Sequence, residues 1–163
     1  MIYIDMDGTL AKWNTAASPE DTHRAGYFRN IAPEEKMKQL IFLLLENGYE
    51  VAILSAAYVN GTAKADKRYW LFRNGLSGIP RIFVPYGADK YRFVAADPGN
   101  ILIDDYTENL RAWEAAGYIP VKFYNGINGT RGTYRGLSID RRMTPEEMYG
   151  IVSSAADAAR KTA

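Results

Sequence analysis

Short apolar segments alternate with helical segments along the chain, and this alternation is the feature that most restricts its fold. Strands are predicted at 1–5, 51–55, 80–84, 101–103 and 119–124. Helices are predicted from Pro33 to Gly48, at 63–74, at 107–116 and from Pro145 onward. Thr144 and Glu147 have the spacing of a capping box for the last helix, and its tail from Ala155 is expected to fray. Short buried strands joined by helical crossovers are typical of parallel sheets with both faces covered. The pattern therefore predicts an α/β fold with a mainly parallel sheet.

The length and the punctuation of the chain predict one domain, residues 1–163. The stretch at about 13–32 is the exception to the alternation, because it combines Ser18-Pro19, Gly26 and scattered charges. We interpret it as a small insertion between the first strand and the first long helix.

The composition excludes several kinds of site. The chain has no Cys and a single His, His23, so a disulfide framework, a thiolate metal site and a multi-His zinc site cannot form. A formal net charge of +1 argues against a dedicated DNA-binding domain. Any catalysis must depend mainly on carboxylates, Lys and Arg, hydroxyls, or a metal held by oxygen.

No targeting or membrane segment is expected. A charge occurs already at Asp5, and the longest clearly apolar run, residues 40–45, is far shorter than the roughly 20 residues that cross a bilayer. We therefore expect a cytoplasmic protein without membrane contact.

Polar side chains follow four of the predicted strands. Asp5 and Asp7 follow the first strand, Ser55 ends the second, Lys90 lies near the third, and Asp104-Asp105 end the fourth. Ligands of open α/β sheets bind beyond the carboxyl ends of the strands. Each residue alone has an ordinary explanation, since Asp7 can stabilise a turn, Ser55 can simply end a strand and Asp104-Asp105 can cap a helix. The complete set indicates a functional site.

Four carboxylates at one edge of a sheet repel each other unless a cation lies between them. Oxygen ligands without His or Cys favour Mg²⁺. A carboxylate can also act as a nucleophile that forms an aspartyl-phosphate, and a second carboxylate two residues later can protonate the leaving oxygen. Phosphoryl transfer depends mostly on such positioning and charge stabilisation.

These residues resemble the four motifs of the haloacid dehalogenase-like (HAD) phosphohydrolases. Asp5-Met6-Asp7-Gly8-Thr9-Leu10 resembles motif I, Ile53-Leu54-Ser55 motif II, Lys90 motif III and Ile103-Asp104-Asp105 motif IV, over residues 1–125. Within these phosphohydrolases, the chain is similar to the 5'(3')-deoxyribonucleotidase family of the cytosolic type C. The residues that carry this similarity are Asp7 with Trp13, Lys67 with Trp70, Asp89-Lys90 and residues 102–105. The resemblance implies a Rossmann-like three-layer sandwich with a minimal cap at about 13–32.

The resemblance also implies a role for each matched residue. Asp5 is the nucleophile and a Mg²⁺ ligand, and Asp7 is the general acid and base whose backbone carbonyl also binds Mg²⁺. Asp105 is the acidic metal ligand of motif IV, and Asp104 supports it. The residues implied for substrate binding are Ser55, Lys90 and Lys67 for phosphate and Trp13 for packing against the substrate.

Two segments differ from the nucleotidase pattern. Nucleotidases have a much larger helical cap, so here either another subunit covers the site, or the substrate is large, or selectivity is loose. The second segment is the Gly-rich loop at 125–136, which contains Arg131 and Arg135. This loop either contacts a second anion or a base, or is a surface connection.

The expected function is Mg²⁺-dependent hydrolysis of a small phosphomonoester, with a 5'-nucleotidase acting on (deoxy)nucleoside monophosphates as the specific expectation. The alternatives are a HAD phosphatase for a sugar phosphate or a nucleic-acid end, and a non-catalytic module that binds a phosphate ligand. Homo-oligomerisation is left open.

Overall fold

The computed structural model describes residues 1–128 and 134–162 and contains, within them, one sheet of six parallel strands. The strands are β1 (Ile2–Ile4), β2 (Val51–Ala57), β3 (Arg81–Pro85), β4 (Ile101–Asp104), β5 (Ile119–Tyr124) and β6 (Leu137–Asp140). The helices are α1 (Pro19–Thr22), α2 (Glu35–Glu46), α3 (Ala63–Arg73), α4 (Thr107–Ala115) and α5 (Pro145–Thr162). A short 3-10 helix spans Lys90–Phe93.

The strand order is β3-β2-β1-β4-β5-β6, so β1 lies in the middle of the sheet. From β1 the chain builds the sheet outward through β2 and β3 on one side and then through β4, β5 and β6 on the other. Ile4 pairs with Ile53 of β2 and Ile103 of β4. The direction of strand addition therefore reverses beside the carboxyl end of β1, where ligands of such sheets bind.

Alternate residues of the central strands point to opposite faces of the sheet, and each face has its own core. Ile2 and Ile4 belong to a larger cluster that includes Met37 of α2 and Met148 of α5. Tyr3 belongs to a second cluster, which includes Trp113 of α4. Helices therefore cover both faces, and the predicted three-layer α/β sandwich is confirmed.

The first long helix begins later than predicted. Glu34 has an extended backbone, with ψ of 93°, and donates its N–H to the carbonyl of Leu10 at 2.9 Å, while Pro33 forms a β-bridge with Ala11. These contacts hold the chain against the loop after β1, so α2 begins at Glu35 instead of at Pro33.

At the other end of the chain the structure differs from the prediction twice. Strand β6 was not predicted, and the tail from Ala155, which we expected to fray, is helical to Thr162. The predicted cap of α5 is confirmed, since Thr144 and Glu147 bond each other's backbone N–H at 3.2 and 2.7 Å. None of the helices in residues 1–128 and 134–162 is both long and apolar enough to span a membrane.

Residues 13–32 form a small insertion with only one short helix, α1. Asp66 of α3, which is 1% exposed, attaches it to the sandwich. The Asp66 carboxylate accepts hydrogen bonds from the N–H of Gly26 at 2.7 Å, from Nε of Arg29 at 3.2 Å and from the hydroxyl of Thr62 at 2.9 Å. The insertion is thus held beside the carboxyl end of β2.

Candidate active site

Three buried carboxylates meet at the carboxyl ends of β1 and β4. Asp5, Asp104 and Asp105 each offer one oxygen, and these oxygens lie within 4.8 Å of one another. The strand register explains the meeting, because Asp5 and Asp104 follow the paired residues Ile4 and Ile103. The N–H of Asp5 extends the ladder by donating to the carbonyl of Ile103 at 2.9 Å.

The loop after β1 turns back sharply, and this turn directs its polar groups to the site. The carbonyl of Met6 accepts hydrogen bonds from the N–H groups of Leu10 and Ala11 at 3.0 and 2.7 Å. Gly8 has φ of +87°, which glycine adopts at little cost. The turn brings Thr9 to Asp105, whose backbone N–H donates to the Thr9 hydroxyl at 3.0 Å.

Lys90 joins two of the carboxylates. Its Nζ donates to Asp5 Oδ1 at 2.5 Å and to Asp104 Oδ2 at 2.7 Å, and the side chain is 2% exposed. Burial acts to lower the pKa of Lys90, but the charges of Asp104 and Asp5 outweigh it and raise the pKa above the ordinary lysine value. Lys90 is therefore a permanent ammonium.

Lys67 of α3 connects Asp7, the acid outside the three-carboxylate cluster, to residues of β2. Its fully buried ammonium forms an ion pair with Asp7 and donates to the Ser55 hydroxyl at 2.9 Å and to the carbonyl of Ala56 at 2.5 Å. Asp7 Oδ2 accepts this bond, whereas Asp7 Oδ1 is buried and has no hydrogen-bond partner among the described residues. One oxygen of Asp7 is thus left for a reacting group.

Asp104 is held from three sides. Besides Lys90, the side-chain amide of Asn109 donates to Asp104 Oδ2 at 2.8 Å, and the N–H of Tyr106 donates to Oδ1 at 2.8 Å. Asn109 lies in the first turn of α4, and its side chain is directed at Asp104. These bonds suit a supporting role for Asp104.

Asp105 differs from the other acids because, within residues 1–128 and 134–161, no ammonium or guanidinium forms an ion pair with its carboxylate. Its oxygens accept hydrogen bonds from Asn125 at 2.7 Å, Asn128 at 2.5 Å and Thr9 at 3.3 Å. Burial first, and then the charge of Asp104, raise the pKa of Asp105 to about 6. Burial also raises the pKa of Asp5, against the opposite effect of Lys90.

These residues fit a hard divalent cation. The donors are carboxylate oxygens close enough to share one ion, and the charge of Lys122 offsets that of Asp105 only in part, since the pKa of Asp105 is still raised. A divalent ion placed there would remove the repulsion that burial makes costly. Oxygen-only donors select Mg²⁺ over the metals that His and Cys bind.

A cleft of about 570 Å³ opens over the carboxylates, with the insertion on one side. Of the predicted site residues, it is lined by Asp5, Asp7, Trp13, Lys90, Asp104 and Asp105. Ser55 and Lys67 are fully buried and meet the others through Asp7. Further aromatic side chains in the lining are Phe28, Tyr58, Tyr86 and Tyr106.

The strand β5 and the loop after it supply site residues that the sequence analysis did not single out. Lys122 is fully buried and donates to the backbone carbonyl of Asp105 and to the Thr107 hydroxyl, the latter at 3.0 Å. In the Gly-rich loop, Asn125 and Asn128 bond Asp105, a role that neither of the two expectations for this loop included. Residues 129–133, with Arg131, lie outside the described residues.

No protein-family model matches the chain, and no curated protein matches it. Among solved structures it is similar to the D,D-heptose 1,7-bisphosphate phosphatase from B. bronchiseptica, complexed with magnesium and phosphate. That match has 16% identity and a TM-score of 0.68 and covers 91% of this chain and 97% of that chain.

Two further structures are similar over nearly their whole length. A HAD-superfamily hydrolase from Ehrlichia chaffeensis has 13% identity and a TM-score of 0.55, with 94% of this chain and 96% of that chain covered. The D,D-heptose 1,7-bisphosphate phosphatase from Burkholderia thailandensis has 15% identity and a TM-score of 0.54, with 96% of both chains covered. At these identities the similarity concerns the fold, and the chain has the fold of HAD-superfamily phosphatases.

Proposed function

We propose that this protein is a Mg²⁺-dependent phosphomonoester hydrolase that acts through an aspartyl-phosphate on Asp5. The observation that carries the proposal is the pairing of two carboxylates at the end of β1. Asp5 lies in the three-carboxylate cluster, and Asp7 has one buried oxygen without a hydrogen-bond partner in the described chain. A nucleophile beside a cation and a neighbouring acid is what phosphate ester hydrolysis requires.

The cation and the phosphoryl group are assigned to separate sets of residues. Asp5, Asp105 and the backbone carbonyl of Asp7 would hold Mg²⁺, which when bound offsets negative charge on the phosphoryl oxygens. We assign the phosphoryl oxygens to Lys90, which lines the cleft, and to Lys67 and Ser55, which are fully buried and meet the site through Asp7. The preformed bonds of Lys67 to Ser55 and of Lys90 to Asp5 support this assignment, because they fix both amines before substrate arrives.

In the first step a carboxylate oxygen of Asp5 attacks phosphorus and the bond from phosphorus to the leaving oxygen breaks. Asp7, in its protonated form, gives its proton to the leaving oxygen, which departs as an alcohol. Lys67 forms its ion pair with the other oxygen of Asp7 and so leaves Oδ1 for this proton transfer.

In the second step water hydrolyses the aspartyl-phosphate. Asp7 takes a proton from the water as its oxygen attacks phosphorus, and the bond from phosphorus to Asp5 breaks. The products are inorganic phosphate and the free Asp5 carboxylate, and Asp7 is again protonated. Both steps use Asp7 in opposite directions, which explains why one acid suffices.

The substrate that we propose is a (deoxy)nucleoside monophosphate cleaved at the 5' position. The aromatic lining of the cleft supports this class, because a planar base can stack on such side chains. Tyr58 and Tyr86 lie with ring centroids 5.0 Å apart, and Tyr86 is 71% exposed. Trp13 lies on the insertion side of the same cleft.

The test is phosphate release by the purified chain with Mg²⁺ and with EDTA. The panel contains deoxy- and ribonucleoside monophosphates, sugar phosphates including a sugar bisphosphate, and a 3'-phosphorylated oligonucleotide. We expect Mg²⁺-dependent release from the mononucleotides well above the rest. A preference for sugar phosphates or for the oligonucleotide would keep the mechanism and reject the nucleotide.

The Asp5→Asn variant is the control for the mechanism, because an amide is not a nucleophile of comparable strength. We expect turnover to fall to the level set by any deamidation, with the fold preserved in circular dichroism. Full turnover by Asp5→Asn would contradict the role of Asp5, and no release from any substrate by the wild-type chain would favour a phosphate-binding module.

A further inference from the structure

The loop that follows β5 is fixed to the carboxylate cluster by one side chain, Asn125. This residue is 4% exposed, and it is not part of the four motifs that carry the proposed chemistry. Its side-chain amide has two donor hydrogens and one carbonyl oxygen, and the described structure gives a partner to each of them.

The carbonyl oxygen of the Asn125 side chain shapes the loop. It accepts hydrogen bonds from the N–H of Ile127 at 2.8 Å and of Asn128 at 3.0 Å. Gly126, between Asn125 and Ile127, has φ of +85°. The turn returns the chain to the site, where the Asn128 amide donates to Asp105 Oδ2 at 2.5 Å.

The amide nitrogen of Asn125 connects the loops after β1 and β4. It donates to the carbonyl of Gly8 at 2.9 Å and to Asp105 Oδ2 at 2.7 Å. The backbone carbonyl of Asn125 accepts from Arg141 Nη1 at 2.9 Å, so the whole residue is held in place. These contacts join three parts of the chain that are far apart in sequence.

The side-chain amides of Asn125 and Asn128 also give the two carboxylate oxygens of Asp105 different roles. Both donate to Oδ2, whereas Oδ1 accepts only the longer bond from Thr9 at 3.3 Å in the described residues. A neutral donor orients a carboxylate without neutralising it, in contrast to the ammonium of Lys90 on Asp5 and Asp104. Oδ1 therefore keeps its charge and its capacity to bind a cation.

We propose that Asn125 is a positioning residue, which with Asn128 directs Asp105 Oδ1 to a bound Mg²⁺. The proposal rests on the proposed function, since it concerns the same metal site. It adds that affinity for the cation depends on a residue 20 positions beyond the last acid of motif IV, in the loop after β5.

The test is a Mg²⁺ titration of the full chain without substrate, by calorimetry and by thermal shift. Loss of supporting hydrogen bonds to a metal ligand typically weakens metal binding roughly 10–100-fold. We expect the Asn125→Ala variant to raise the Mg²⁺ dissociation constant by about this factor. In assays with the best substrate of the panel, excess Mg²⁺ should restore most of kcat, with KM little changed.

Asn100→Ala is the matched control. Asn100 is also buried, at 2% exposed, and its amide donates to the carbonyl of Ala95 at 2.8 Å, near the amino end of β4. We expect this variant to lose stability without a change in Mg²⁺ affinity. Asn128→Ala, which leaves the turn of Asn125 intact, should weaken Mg²⁺ binding to a smaller degree.

The results of these experiments distinguish a failure of this inference from a failure of the proposed function. If Asn125→Ala, or Asn128→Ala where Asn125→Ala does not fold, binds Mg²⁺ as the wild type does, the inference is overturned and the proposed function stands. If Asn100→Ala weakens Mg²⁺ binding equally, the effect is one of general stability and the inference is also overturned. If the wild-type chain binds no Mg²⁺, the metal site of the proposed function fails, and the inference fails with it.

Discussion

At the scale of single residues, Gly8 sets how closely the loops after β1 and β4 approach. A Cβ at position 8 would lie 2.7 Å from Cγ and 2.8 Å from Oδ1 of Asp105. Non-bonded atoms do not approach so closely, so any side chain at position 8 moves the Asp105 carboxylate. The glycine therefore has two functions, since its φ of +87° permits the turn and its missing side chain permits the contact.

We expect the Gly8→Ala variant to lose activity by roughly 100-fold, because a displacement of about 1 Å at a catalytic group has an effect of this size. The left-handed backbone itself costs about 1–2 kcal/mol for alanine. The measurements are kcat/KM with the best substrate and the midpoint of thermal unfolding.

Gly117→Ala separates the two effects. Gly117 also has φ of +87°, and a Cβ there meets no atom within 4 Å. This variant should lose a similar amount of stability and keep its activity. Equal activities of Gly8→Ala and Gly117→Ala would show that contact with Asp105 is not important.

Single residues also show which parts of the site could be predicted from the sequence and which could not. Asp5, Asp7, Asp104 and Asp105 were predicted as one cluster because the complete set of acids at strand ends indicates a site, although each acid alone has an ordinary structural explanation. Asn125 was not singled out as a support of Asp105, because a buried amide has no distinctive spacing. Its partner Gly8 lies 117 residues earlier, and only the folded sheet brings the two together.

At the scale of elements, a buried anion, Asp66, makes several of the bonds that hold the insertion at 13–32. Asp66 accepts bonds from Gly26 and Thr62 and forms an ion pair with Arg29 Nη2 at 3.1 Å. Trp70 Nε1 adds a bond to the carbonyl of Ile31 at 2.6 Å. Hydrogen bonds to a charged group contribute about 1.5–3 kcal/mol, so Asp66 holds a large share of the free energy that keeps the insertion closed.

We expect Asp66→Ala to raise the rate of tryptic cleavage after Arg24 by roughly 10–100-fold, since the open state of the insertion becomes more populated. The Arg24 side chain is 77% exposed and already accessible to trypsin. Local opening of the backbone around it is therefore the step that limits cleavage. Limited proteolysis followed by mass spectrometry measures the rate. The control is Asp140→Ala, at the end of β6, which removes the ion pair of Asp140 with Arg142 and should leave this rate unchanged. An unchanged rate in Asp66→Ala would mean that other contacts hold the insertion.

The elements were predicted well where burial is strong and poorly where it is weak. The segments β2, β4 and β5 are apolar and buried, and their positions agree with the prediction within a few residues. Strand β6 lies at the edge of the sheet, where Leu137 is 44% exposed and Ile139 is its one fully buried side chain. The other edge strand, β3, was predicted because Ile82-Phe83-Val84 form an apolar run, whereas the four residues of β6 alternate between apolar and polar and give too short a pattern.

At the scale of the whole molecule, buried charges of both signs are concentrated at one end of the sheet. The chain has a formal net charge of +1, and at this end four carboxylates meet three buried lysines, Lys67, Lys90 and Lys122. Burial raises the pKa of Asp105 to about 6 and raises that of Asp5 as well. Where the folded-state pKa of an acid exceeds the unfolded value, folding stability falls as pH rises between the two values.

We therefore expect the metal-free protein to lose stability as the pH rises from about 4, where both acids are protonated in the folded state, through 6 and above. Protons compete with Mg²⁺ for the same oxygens, so Mg²⁺ should stabilise the protein more at pH 8 than at pH 5. At about 100 times the dissociation constant, the gain is about 2.7 kcal/mol, or roughly 5–10 °C in the unfolding midpoint.

Thermal unfolding with EDTA and with Mg²⁺ across this pH range measures the effect. Asp105→Asn, which cannot supply an anionic oxygen, should show little response to Mg²⁺ at any pH. A stabilisation by Mg²⁺ that is the same at pH 5 and pH 8 would mean that these two acids do not bind the ion.

The position of β1 in the middle of the sheet has a consequence for biosynthesis. One neighbour of β1, β4, is translated about 100 residues later, and Asn128 later still. At about 5–20 residues per second, a ribosome needs roughly 6–25 s to travel from Asp5 to Asn128. During that time β1 has an unpaired side and its acids have no partners from the second half of the chain. The nascent protein therefore acquires its metal ligands as a set only when most of the chain has left the ribosome.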